Sequence, residues 1–217
     1  MFVVEAVWLA ERMAALADDV VAPVLNIGSG NAAQRTTRYT EANRLLWQPL
    51  ADRGVPILHC DIKDEPGVDI VADLATPEGR DRIVAARPGL ILCNSLYEHL
   101  RDPEPVAAAI VEAVPPGGHL LVTVPPRYPY HADPIATMLR PTPQELAAMH
   151  PGLDVIETRL IEASNFKFAV QLKPRRVFRD GYNSIRSIAV TRSFQHIYPR
   201  WWSRPYVMAA AHLHRPA

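Results

Sequence analysis

The sequence predicts an α/β fold built on a mostly parallel sheet with helices on both faces. Two observations carry that expectation, and the charge balance narrows the partners. Short apolar runs alternate with helix-length segments, and most runs end at a polar or glycine-bearing turn. Hydrophobic residues make up 48% of the 217, enough to cover both faces of a sheet. The chain carries 23 basic and 23 acidic residues, so no global charge points to a nucleic-acid or membrane partner.

Residues 3–21 place Val4, Val7, Trp8, Met13, Leu16, Ala17 and Val20 at helical spacing, with Glu5, Arg12 and Asp19 opposite. That pattern predicts one amphipathic helix, stopped by Pro23. Val24 to Ile27 reads as a buried strand running into Gly28-Ser29-Gly30. Residues 32–53 are helix-like in part, weakened early by Thr36, Thr37 and Thr40. Strands follow at Val55 to Cys60, ending at Asp61, and at Val68 to Ala72, ending at Asp73. Thr76-Pro77-Glu78 opens a short helix to Ala86, and Leu90 to Cys93 is the fourth strand. Asp102-Pro103-Glu104 starts a helix closed by Pro115-Pro116-Gly117-Gly118. His119 to Val124 is a fifth strand that Pro125-Pro126 should end, and Leu153 to Ile161 and Tyr206 to Leu213 are two late strands.

No repeats or low-complexity linkers interrupt this order, so 1–217 reads as one domain with an N-terminal helix over 1–21. Residues 164–204 read as an insertion. Nine basic residues stand there against Asp180 alone, a local charge of +8, beside eight aromatics from Phe166 to Trp202. It fits a lid with arginines for an anionic ligand, a polyanion-binding patch, or a plain cover whose aromatics are core. Trp201-Trp202 suits an apolar ligand or a homodimer contact. Proline is abundant at 21 residues, about twice ordinary usage, so loops should be stiff and elements sharply ended. Cys60 and Cys93 read as free buried thiols. Glu5 and Glu11 lie inside the first apolar stretch, which has no basic leader and does not read as a signal peptide. No run reaches the roughly 18 apolar residues of a spanning helix. The expectation is a cytoplasmic protein.

Gly28-Ser29-Gly30 at the end of a strand lets a ligand approach the backbone, since glycine tolerates the turn and leaves room beside it. With Ala33 it also matches a dinucleotide fingerprint, which wants an acid about 20 residues on. Asp61 lies 33 residues beyond Gly28, and Asp52 falls in the preceding helix, so the spacing argues against a nicotinamide or flavin.

Taken together, five stretches resemble the class I S-adenosylmethionine-dependent methyltransferases of small-molecule type. VLNIGSGNA is similar to the family's first motif, LHCDIKD supplies an acid after the second strand, and VDIVADL an Asp after the third. NSLYEHLRDP resembles the "EHL-x-D-P" segment after the fourth strand, and VPPGGHLLVTVP the fifth-strand motif. They occur in the family's order across about residues 20–146. The resemblance implies a Rossmann-like sheet of seven strands with the last antiparallel, and S-adenosylmethionine as cofactor.

It also implies roles. Asp61 would accept the ribose hydroxyls and Asp73 the adenine amino group, with Ile62 and Leu74 on the ring faces. Asn26, Gly28, Ser29 and Gly30 would hold the methionine part, Asn94 would face its ammonium, and Leu96 and His99 would line the pocket. The family often has an acid where Asn26 stands and a third glycine where Ala32 stands. Those departures motivate a second reading, a non-catalytic cofactor-binding or partner-binding protein.

For chemistry, His131 in the loop after the fifth strand suits a general base, and Glu98-His99 either an acid–base pair or a helix cap. Tyr128, Tyr130 and Arg140 are candidate acceptor contacts. PPRYPYHADP with Arg140 and Thr142 loosely resembles a saccharide-methyltransferase pattern, so the acceptor is expected to be a small metabolite, anionic or saccharide, methylated at oxygen. His212-x-His214 puts two rings on one side of a strand, but a metal needs a third ligand, and no metal is expected.

Overall fold

A computed structural model describes residues 1–128, 135–137, 139–165, 185, 188–189 and 204–217. Seven strands form one sheet in the order β3-β2-β1-β4-β5-β7-β6. They are β1 Val24–Ile27, β2 Ile57–Asp61, β3 Ile70–Val71, β4 Leu90–Asn94, β5 His119–Arg127, β6 Asp154–Asn165 and β7 Pro205–His214. β1 pairs in parallel with β2 and β4, β2 with β3, and β4 with β5. The last strand, β7, slots between β5 and β6 and runs antiparallel to both, as expected.

Strand parity divides the core into two layers. Leu25, Ile27, Ile91 and Val122 face α5 (Pro77–Ala85), α6 (Glu104–Ala113) and α7 (Pro143–Ala148), meeting Ile83, Ile110 and Leu146. Val24, Leu90, Leu92 and Leu121 face α1 (Val3–Ala14) and the segment after β1, meeting Trp8, Leu9, Leu46, Trp47 and Leu50. β1 is buried on both sides, so Asn26 is a polar residue in a fully buried strand.

Several boundaries differ from expectation for identifiable reasons. The single helix over 3–21 is two, α1 and α2 (Asp18–Val21), because Asp18 and Asp19 favour a new helix N-terminus and Asp18 pairs with Arg53 at 3.1 Å. Residues 34–52 form a helix widened into π turns over Gln34–Arg38 and Asn43–Trp47, around α3 (Thr40–Ala42) and before α4 (Gln48–Asp52). Thr36 and Thr37 donate to the carbonyls of Ala32 and Ala33 at 2.9 and 2.6 Å, competing with backbone donors for those oxygens. β5 does not stop at the prolines: its register with β7 jumps between Val124 and Arg127, which carries the chain past two residues that have no N–H. β6 likewise runs on to Asn165 with two register shifts. α7, which the sequence analysis does not place, is opened by a capping box between Thr142 and Glu145, with Pro143 at the first helical position. Cys60 and Cys93 are free and buried, and burial pushes the Cys60 thiol up to about 12. Among the described residues, no helix is long and apolar enough to cross a membrane.

His212 and His214 do share a side of β7, and His119 of β5 joins them, its Nδ1 3.1 Å from His212 Nε2. Among the described residues no group of three or more His, Cys, Asp or Glu is placed to hold a metal. Burial, then the neighbouring His119, lowers the His212 pKa to about 4; burial does the same to His150, which is also about 4. Unfolded histidines take up a proton near 6.5, whereas these stay neutral in the fold until about 4. Stability is therefore full above pH 6.5 and falls between 6.5 and 4, by on the order of 1 kcal/mol per unit for each group. Urea midpoints across that window should decline steeply; equal midpoints at pH 7 and 4.5 would contradict the buried-neutral assignment.

Candidate active site

The turn after β1 is built by two left-handed glycines, Gly28 at φ +68° and Gly30 at φ +60°. A Cβ on Gly28 would lie 3.2 Å from Leu96 Cδ1, and one on Gly30 2.0 Å from Gln34 Oε1. The turn is tied to the end of β2: the Ser29 N–H donates to the Cys60 carbonyl at 3.0 Å and the Gly30 N–H to Asp61 Oδ2 at 2.8 Å. Asp61 Oδ1 accepts from the Lys63 N–H at 3.1 Å, while the Ser29 hydroxyl turns back to the Gly30 carbonyl at 2.9 Å. Thus the carboxylate shapes the turn, and its remaining lone pairs stay open to a ligand.

Arg35 is a structural residue that sequence reasoning missed. Its guanidinium, buried, donates to the Gly30 and Gly67 carbonyls at 2.6 Å each, clamping the glycine turn to the β2–β3 loop. Burial lowers its pKa, opposed by Asp69 and Asp61. No motif marked it, because its partners are backbone carbonyls, which leave no trace in a sequence.

Beside Asp61, Ile62 is 62% exposed, an apolar side chain at the carboxyl end of the sheet. Asp73 is exposed; its Oδ1 accepts from the Ala75 N–H at 3.1 Å, and its carbonyl from the Thr76 hydroxyl at 2.8 Å. Leu74, by contrast, is buried in the core with Ile83. Asn26 lies within β1, its amide 3.2 Å from His59 Nδ1 on the face covered by Trp47.

At the ends of β4 and β5, the Thr123 hydroxyl donates to Glu5 Oε1 at 2.5 Å and sits 3.2 Å from the Asn94 amide. Glu5 also accepts from the Phe2 N–H at 3.0 Å, so α1 closes over this end of the sheet. A short turn, Tyr97–His99, is anchored by Tyr97, whose hydroxyl is 2.8 Å from His150 Nε2 in the core. That anchor holds Glu98 and His99 in place. Glu98 is fully buried, and burial raises its pKa to about 7 against the lowering influence of its own backbone N–H and of Arg140. His99 Nδ1 meets the Ile135 carbonyl at 2.5 Å, with Nε2 3.8 Å from Glu98 Oε1. Tyr128 packs edge-on against Tyr206 and Phe2 at 4.7 and 5.8 Å, and Arg140, whose pKa burial lowers, senses both Glu98 and Tyr128. Tyr130 and His131 lie outside the described residues, as does most of 164–204 with Trp201-Trp202.

The structure thus brings Gly28, Ser29, Gly30, Asp61, Ile62, Asp73, Asn94, Leu96 and His99 to the carboxyl ends of the parallel strands, where open α/β sheets bind ligands. Asn26 and Leu74 approach the same end from within the packed layers. These residues fit an adenosyl ligand: a turn cleared of Cβ atoms, an acid at the end of β2, and an exposed apolar side chain beside it.

No protein-family model matches the sequence, and no curated protein matches it. Solved structures do. Coclaurine N-methyltransferase, bound to N-methylheliamine and S-adenosylhomocysteine, superposes with a TM-score of 0.53 at 14% identity, over 97% of this chain and 72% of that one. A SAM-dependent methyltransferase of Anabaena variabilis gives 0.51 at 12% identity, over 96% and 82%. The chain has the class I methyltransferase fold. A phosphoethanolamine N-methyltransferase of Haemonchus contortus gives 0.46 at 13% identity over 90% of this chain, which spans 49% of that protein's length. In this methyltransferase fold the glycine turn and Asp61 occupy adjacent strand ends, β1 and β2.

Proposed function

We propose that this chain is an S-adenosylmethionine-dependent methyltransferase acting at an oxygen of a small or medium-sized metabolite. The observation that carries the reading is the Gly30–Asp61 contact at 2.8 Å, which sets an acid beside a glycine turn at the open end of the methyltransferase fold. In this reading Asp61 accepts the ribose hydroxyls, Ile62 flanks the adenine with Leu74 in the packed layer beneath, and Asp73 accepts from its amino group. Asn26, Gly28, Ser29, Gly30, Asn94, Leu96 and His99 surround the methionine part.

When bound, the cofactor supplies an activated methyl group with a good leaving group. The protein's share is then to align the acceptor and exclude water; such positioning is worth roughly 7–11 kcal/mol. His131 removes the acceptor proton, with His99 as the second candidate, and Tyr128, Tyr130 and Arg140 contact the acceptor. The charge of +8 across 164–204 suits a lid over an anionic or saccharide acceptor.

A second reading has one observation in its favour. Asn26 is engaged by His59 where the resemblance implies an acid, which suits a binding protein that kept the fold. Calorimetric titration with S-adenosylmethionine, S-adenosylhomocysteine and NAD tests both. The expected result is micromolar binding of the two adenosyl ligands and none of NAD. Binding of NAD alone would overturn the proposal, and binding of none would favour the second reading.

A further inference from the structure

β6 is the outer strand of the sheet, and among the described residues it pairs with β7 alone. Its other edge therefore presents backbone N–H and C=O groups that a further strand can take up. Outer strands are ordinarily kept short or broken by bulges. β6 has 12 residues, and its two register shifts bracket a regular run from Glu157 to Glu162. Three of its large apolar side chains lie open to solvent: Val155 at 56%, Ile156 at 53% and Leu160 at 57%.

The pairing with β7 places these side chains. Val155, Thr158 and Leu160 stand opposite Leu213, Ala211 and Ala209, which belong to the core layer under α7. The same side holds an apolar depression of about 320 Å³ between the end of α7 and β6, with Ala147, Ala148, Pro151, Val155 and Thr158 in its lining. Glu157 and Arg159 stand opposite His212 and Ala210 on the α1 side. Arg12 holds Glu157 there at 2.5 Å, and Arg159 is exposed.

We propose that β6 is a contact between two copies of this chain, which join edge to edge and antiparallel about a two-fold axis at Thr158. In such a pair each residue meets one on the same face of the sheet. The axis at Thr158 sets each Glu157 opposite the other copy's Arg159. It also brings each Leu160 across from the other copy's Ile156, beside Val155 and the depression. An axis at Glu157 or at Arg159 would set that charge against itself, which is destabilising. An axis at Leu160 would put Arg159 against the buried Ile161 and Glu162 against Thr158, with no ion pair formed. One register thus satisfies both the charges and the exposed apolar residues, and that self-complementarity is what makes a second copy the occupant. Cross-strand pairs contribute modestly and the contact is narrow, so the dimer exchanges with monomer.

Sedimentation equilibrium of the full chain from roughly 1 µM to 1 mM, the range of weak specific association, tests this. Wild type should pass from monomer to dimer. Arg159→Glu, which sets like charges opposite each other, and Leu160→Lys, which brings a charge to the apolar depression, should both stay monomeric. Both side chains are exposed, so the variants should melt with wild type. Thr158→Cys puts a thiol at the axis, where residues directly opposite lie within disulfide reach, and oxidised glutathione should link it into a dimer. Glu162→Cys, well away from the axis, should stay unlinked. Cys60 and Cys93 are buried and take no part. Wild type that stays monomeric throughout overturns the proposal. So does a dimer that survives both charge substitutions, or one that leaves the Thr158→Cys variant unlinked.

Discussion

Asp61→Ala lowers affinity for S-adenosylmethionine by at least about 100-fold, the largest effect of any single substitution in the site. Two hydroxyls bonded to one carboxylate are charge-assisted contacts, each worth roughly 1.5–3 kcal/mol, and about 2.7 kcal/mol is already 100-fold. The same side chain holds the Gly30 N–H at 2.8 Å and the Lys63 N–H at 3.1 Å, so alanine also loosens the turn on which the ligand rests. Asp61→Asn keeps one oxygen for Gly30 and should lose less. Calorimetry on both variants orders them; unchanged affinity in Asp61→Ala would remove the ribose site from this carboxylate.

Gly79→Ala destabilises the fold by about 3 kcal/mol and weakens adenosyl binding as well. Gly79 lies in the first turn of α5, and a Cβ there would sit 1.9 Å from the Asp73 carbonyl oxygen and 2.5 Å from its carbon. Those are backbone atoms, so the helix must move off the loop that presents Asp73, and overpacking of this kind costs 1–3 kcal/mol or more. For a chain of this size that is a fall in Tm of roughly 6–12 °C. Gly117→Ala is the control: it carries a positive φ, +77°, which Gly79 does not, and its Cβ meets nothing within 4 Å. It should cost only about 1 kcal/mol. Equal melting temperatures for the two variants would contradict the packing at Asp73.

The sheet was legible because its strands are short apolar runs with a turn signal at each end; Val24–Ile27 before the glycines and Leu90–Asn94 are the clearest. The prolines at 125 and 126 misled because a bulge accommodates missing N–H groups on a strand whose neighbour has already reversed direction. Asp61 could be placed from its position at a strand end. Arg35 could not, since only the fold brings the Gly67 carbonyl to its guanidinium. Nor could the burial of Glu98: a sequence shows that a carboxylate is present, whereas its complete burial depends on the fold around it.

The most direct measurement is a crystal structure of the protein with S-adenosylhomocysteine. The account predicts the ribose hydroxyls within hydrogen-bond distance of Asp61, the adenine over Ile62, and the amino-acid head at the ends of β4 and β5. A ligand bound elsewhere on the sheet, or with its ribose turned away from Asp61, would contradict it.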